Sequence, residues 1–199
     1  MKLSFVTSSI AGVLGLALLL CPRGASAGAP TDQIRTTVEK IQEILNDSRL
    51  ASAGASAERR AQLRAVIYPR FDFTEMAMRS LGAEWRRRTP EEQKEFVEVF
   101  TKLLEKSYID KIESYHGEKI LYGREIQDQD FAEVDTKILT DKGDQFAVNY
   151  KLRRVAGDWR VYDVVIENIS LVNNYRAQFG RVLASDSFTE LLRRIKEKL

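Results

Sequence analysis

The residues of this chain that could do chemistry are few and poorly placed for it. His116 is the only histidine. Beside Gly117, where a helical pattern stops, it reads as a capping or surface residue rather than a catalyst, and no metal site can be assembled around it. Asp128, Asp130 and Asp135 lie close in sequence. They lack the glycine and the terminal glutamate of a calcium-binding loop, which makes them solvated loop and strand acids. Asp163 is the best polar candidate: its strand position shares a side with Trp159, Val161 and Val165, and a half-buried aspartate of this kind usually satisfies backbone amides or an arginine before it serves as a general base. Arg86, Arg87 and Arg88 follow Trp85 in a predicted loop, where solvation is the plain reading and docking or a head-group contact the functional one. The sequence holds no phosphate-cradling glycine loop, no nucleophile elbow and no nucleophile paired with a base.

Charge and cysteine content narrow the classes further. The 199 residues carry 31 Lys and Arg against 29 Asp and Glu. Residues 1–27 read as a signal peptide: Lys2, an apolar run from Ile10 to Leu20, and Ala25-Ser26-Ala27 as the small-x-small cleavage site. That run is shorter than the roughly 20 residues needed to span a bilayer. Cleavage after Ala27 removes Lys2 and Arg23 and no acid, leaving a neutral mature chain from Gly28, which argues against nucleic acid as a partner. It also removes Cys21, the only cysteine. A disulfide, a thiolate metal site and a cysteine nucleophile are all excluded, and the fold must be held by one apolar core. Export from a Gram-negative cell would place the protein in the periplasm.

Apolar spacing supplies the elements. Ile34, Val38, Ile41, Ile44 and Leu45 form one stripe of a first helix over 31–46. A small-residue segment over 49–57 reads as a loop or broken helix, followed by a second helix from Glu58 to about Ile67, which Pro69 ends. Asp72 and Glu75 start a short helix with Phe73, Met76 and Leu81, closed by Gly82. Thr89, Pro90 and Glu92 are the N-cap, first and third positions of a long helix carrying Phe96, Val99, Phe100, Leu103, Leu104, Tyr108 and Ile112. After Gly117 the period changes to two. Ile120, Tyr122 and Ile126 mark one strand, Ala132 to Ile138 a second, Phe146 to Leu152 a third after the Asp141–Asp144 turn, and Trp159 to Glu167 a fourth after Ala156-Gly157-Asp158.

The fourth strand alternates imperfectly, with Tyr162, Val164 and Ile166 on one side and Trp159, Val161 and Val165 on the other. Both faces are therefore partly covered. Behind Ser170, an N-cap, Leu171, Val172, Tyr175, Phe179, Val182 and Leu183 return to helical spacing. Phe188, Leu191, Leu192 and Ile195 belong to a last amphipathic helix. Helices, then a meander, then helices predict a single α+β domain over 28–199: a curved antiparallel sheet of about four strands, packed on one face by several helices.

These segments resemble the MlaC family, also called the toluene-tolerance family. The matching residues are Phe71-Asp72-Phe73, Met76-Ala77, Leu81-Gly82, Trp85, Pro90, Gln93, Phe96, Phe100, Leu104 and Tyr108, then Gly157, Trp159, Val161-Tyr162-Asp163-Val164, Ser170-Leu171-Val172, Asn174-Tyr175-Arg176 and Phe179. One departure is Asn168-Ile169, where the family commonly has glycine then valine. The resemblance implies a periplasmic carrier of glycerophospholipid between an MlaA-like outer-membrane lipoprotein and an MlaFEDB-like inner-membrane ABC transporter, acting as a monomer, without catalysis, with phospholipid as cargo and no cofactor. A hopanoid-associated relative and a small-molecule enzyme on a similar scaffold are the competing readings. Two acyl chains hold about 30 methylene-sized groups, and at roughly 0.8 kcal/mol each their exposure costs on the order of 20 kcal/mol, so a carrier needs an apolar cavity between sheet and helices. The expected lining is Phe73, Met76, Phe100, Leu104 and Tyr108 from helices, Val134, Ile138, Val148, Tyr150, Tyr162, Val164 and Ile166 from strands, and Leu171, Val172 and Tyr175 from the helix after Ser170.

Overall fold

A computed structural model describes residues 29–115 and 117–199. The predicted signal peptide and His116 lie outside them. Six α-helices and five strands follow one another as α1 (Pro30–Asn46), α2 (Ser56–Ile67), α3 (Phe73–Leu81), α4 (Pro90–Glu113), β1 (Lys119–Asp128), β2 (Phe131–Leu139), β3 (Gln145–Val155), β4 (Asp158–Ile166), β5 (Ile169–Ser170), α5 (Leu171–Leu183) and α6 (Phe188–Lys196). The sheet is an antiparallel meander in the order β1-β2-β3-β4-β5. It has one short strand more than the periodicity shows, because two residues are too few to leave a period.

Local signals set the helix ends. Thr89 and Glu92 form the reciprocal capping box at α4, each side chain bonding the other's backbone amide. Asp72 accepts the Glu75 amide at 3.0 Å and starts α3. Ser170 and Ser187 cap α5 and α6. The segment after Trp85 corrects the expectation of a loop: Gly82–Arg87 is a 3-10 helix, with Arg87 paired to Glu84 and Arg88 near both Glu84 and Glu92. The three arginines therefore do not act as one solvated run.

Turn geometry explains the one departure from the family pattern. Glu167 and Asn168 have φ of 47° and 64°, a tight left-handed turn between β4 and β5. Asparagine tolerates that region nearly as well as glycine, so the turn survives the substitution. Two bulges, between Tyr122 and Glu125 in β1 and between Val161 and Asp163 in β4, bend the sheet.

The β4 bulge also corrects the face assignment. In the register, Leu152 faces Val161 but Lys151 faces Asp163, so Tyr162 is the extra residue and parity reverses across it. Val161, Val164 and Ile166 then share the inner face with Leu152, Tyr150 and Val148, which stand opposite Ala132, Val134 and Thr136 of β2. Simple alternation divides these β4 residues between two faces because it cannot register an inserted residue.

Candidate functional site: the seam between two apolar clusters

Most buried apolar side chains fall into two clusters; Leu50, Leu63 and Ile109 lie outside both. One belongs to the helices α3, α4, α5 and α6, and Met76, Phe96, Phe100, Leu104, Val172, Tyr175 and Phe179 form its centre. Its rings pack edge to face, Phe100 against Tyr175 at 5.2 Å and Phe96 against Phe179 at 5.6 Å. The other lies on the inner face of the sheet: Val134, Val148, Leu152, Trp159, Val161 and Val164, with Ile34 from α1 and Leu171 from the start of α5. Phe71 and Tyr108 pack against both clusters and mark the seam between them.

All the expected lining residues except Tyr162 belong to one of the two clusters or pack against one. Met76, Phe100, Leu104, Val172 and Tyr175 are buried in the helical cluster, with Phe73 packed on it; Val134, Val148, Val164 and Leu171 are buried in the sheet cluster, with Ile138, Tyr150 and Ile166 packed on it. Tyr162 is a correction. Displaced by the bulge, it meets Phe131 at 6.0 Å and Arg79 at 4.3 Å on the opposite side of the sheet. Phe71, Val38 and Ile34 are seam or cover residues missing from the expected lining. Phe71 sits, partly buried, in the stretch between helices, and a single parallel bridge to Val161, which no local pattern announces, sets it beside β4.

Polar contacts hold the two layers at the edges rather than in the middle. Arg153 of β3 bonds Asp72 at 2.8 Å and approaches Glu75 at 3.3 Å, joining the sheet to α3. Arg70 donates to the Trp159 carbonyl at 2.5 Å and to Thr37 at 3.2 Å, which pins α1 to β4. Asp163 is buried and accepts from Ser170 and from the Val172 amide, so its work is to cap α5, in line with the backbone-amide reading. Burial, and secondarily the neighbouring Tyr122, pushes the Tyr150 hydroxyl up to about 12; burial raises Tyr108 as well. At the seam Tyr108 and Tyr150 therefore present neutral phenols beside hydrocarbon.

Exposure along the inner face is graded. Trp159 at one end is 1% exposed, whereas at the other end Phe146 is 44% and Ile169 is 60% exposed. The apolar interior is thus sealed at the Trp159 end and reaches the surface at the Phe146 end. No helix among the described residues is long and apolar enough to cross a membrane.

A bent open meander roofed by helices, with an apolar seam that opens at one end, defines a binding fold of the lipid-carrier type. Residues 35–197 match the model of the MlaC protein family, and the chain belongs to that family. Relatives include the toluene tolerance protein ttg2D of Pseudomonas putida, 24% identical over 78% of this chain and 73% of that protein. The intermembrane phospholipid transport system binding protein MlaC of Haemophilus influenzae is 21% identical over 69% of this chain and 67% of that one. In structure the fold is shared with a phospholipid-binding protein from Ralstonia solanacearum, solved in complex with a phospholipid, with a TM-score of 0.75, 23% identity, and coverage of 85% of this chain and 96% of that one.

Proposed function

We propose that this protein is a periplasmic carrier that binds glycerophospholipid by its acyl chains between the sheet and the helices and moves it between the outer and inner membranes. The observation that carries the reading is the pair of separate apolar clusters meeting at a seam. Chains placed between them would exchange contact between the two clusters for contact with hydrocarbon, with little loss of buried apolar area.

The exposed Phe146 and Ile169 give the chains their entrance, and Trp159 closes the far end. The head group stays at the mouth, in water. Family membership and the phospholipid named for the relatives support the cargo. The neutral phenols of the seam support a binding role rather than an enzymatic one. By the same resemblance, the carrier would exchange its load with an MlaA-like lipoprotein on one side and an MlaFEDB-like transporter on the other, as a monomer.

A transfer assay tests the carrier reading. Delipidated protein mixed with vesicles holding a fluorescent phospholipid should take up label and deliver it to acceptor vesicles in proportion to protein concentration. Transfer no faster than in buffer would refute it.

A further inference from the structure

On the side of the sheet away from the seam, a pocket of about 440 Å³ opens between the end of α3, the 3-10 turn after it, the strands β3 and β4, and the first turns of α5. Four cations line it, Arg79, Arg86, Lys151 and Arg176, against a single acid, Asp163. Asp163 has both oxygens occupied, one by Ser170 and one by the Val172 amide. Arg79 is bound to Glu75 at 2.7 Å and lies over the Tyr162 ring. Arg86, Lys151 and Arg176 have no carboxylate partner among the described residues. Three like charges gathered in one concavity repel one another, and an anion relieves that repulsion.

The pocket shows construction beyond charge. Gly82 has φ of 59°, and a Cβ placed there would stand 2.9 Å from Nε and 3.1 Å from Cζ of Arg176. The guanidinium therefore lies against the bare glycine backbone, while Arg176 as a whole stays exposed. The amides at the start of α5 are already taken by Asp163 and Ser170, so the site rests on side-chain cations and not on the helix end. Lys151 neighbours Tyr150 in β3, and adjacent strand residues point to opposite faces. Lys151 therefore reaches the pocket from the face of β3 opposite Tyr150, while Val172 of the helical cluster lines it from α5.

We propose that this pocket binds a phosphate-type oxyanion, either free or carried on a lipid head group at a membrane surface. Three cationic donors from three elements suit a tetrahedral group with three or more oxygens. A planar carboxylate would be satisfied by one guanidinium alone.

Isothermal titration of the purified protein with inorganic phosphate at constant ionic strength tests this, together with sedimentation on phosphatidylcholine vesicles with and without phosphatidylglycerol. Saturable phosphate binding is expected, weakened about tenfold in Arg176→Gln and in Lys151→Gln, with unfolding midpoint and co-purified lipid unchanged. Sedimentation that needs phosphatidylglycerol and is lost in both variants assigns the group to a head group; phosphate binding without sedimentation assigns free phosphate. The proposal is overturned if neither probe binds saturably, if both variants bind as the parent does, or if only a glutamate-rich peptide binds.

Discussion

The carboxylate of Asp163 accepts the Val172 amide at 3.1 Å and the Ser170 hydroxyl at 2.6 Å, so one strand residue sets where α5 begins. α5 supplies Val172, Tyr175 and Phe179 to the helical cluster and Leu171 to the sheet cluster. Asp163→Ala leaves the buried Val172 amide without its acceptor and should cost about 1–3 kcal/mol, measured by urea unfolding. Asp163→Asn, which keeps one acceptor oxygen, should cost less. An unchanged midpoint in Asp163→Ala would show that the contact does not position the helix.

Parity across the β4 bulge predicts opposite outcomes at neighbouring positions. Val164→Trp or Val148→Trp fills the seam and should lower co-purified lipid several-fold in a folded protein, since a tryptophan occupies the volume of several methylenes. Tyr162→Ala, on the other side of the sheet, should leave lipid content unchanged. Equal effects at 162 and 164 would mean that the face assignment is wrong.

Much of this was legible in the sequence, and the exceptions have physical causes. Capping residues and turn residues act within four positions, so Thr89, Asp72 and the Asp141–Asp144 turn could be read directly. The inner face of β2 and β3 follows from unbroken alternation. Tyr162 could not be placed that way, because a bulge depends on pairing between strands. Nor could Phe71 or the Arg70 clamp, whose partners Val161, Trp159 and Thr37 lie far along the chain. The sequence shows that Arg86, Lys151 and Arg176 exist; only folding shows that they line one pocket.

Acid should loosen the contact between α2 and α4. Glu105 accepts from Arg64 and from the Tyr68 hydroxyl, each at 2.7 Å. The Arg64 guanidinium, against the opposing effect of burial, holds the Glu105 carboxyl below its usual value of 4.5. A depressed folded pKa gives stability that is complete above the unfolded value and is lost as pH falls through the folded one. The unfolding temperature should therefore drop as pH falls below about 4.5, and Glu105→Gln should flatten part of that drop while lowering stability at neutral pH. Burial and the Glu105 bond raise the Tyr68 hydroxyl to about 12, so the same contact is complete below 10 and weakens between there and 12. A variant with an acid limb as steep as the parent's would remove Glu105 from the account.

Gly82→Ala places a side chain at a φ of 59° and a ψ of −126°, and drives its Cβ into the Arg176 guanidinium. A destabilisation of about 1–3 kcal/mol is expected by chemical unfolding. Combining it with Arg176→Ala should recover the steric part but not the backbone part. Full recovery would mean that the backbone there carries no strain.

The proposed cargo site is the seam between the two clusters, where the chains of a phospholipid would lie. Mass spectrometry of an organic extract from natively purified protein tests it most directly. Diacyl glycerophospholipid is expected in near-stoichiometric amount, reduced in Val148→Trp and Val164→Trp. An extract containing a triterpenoid or no lipid at all would contradict it.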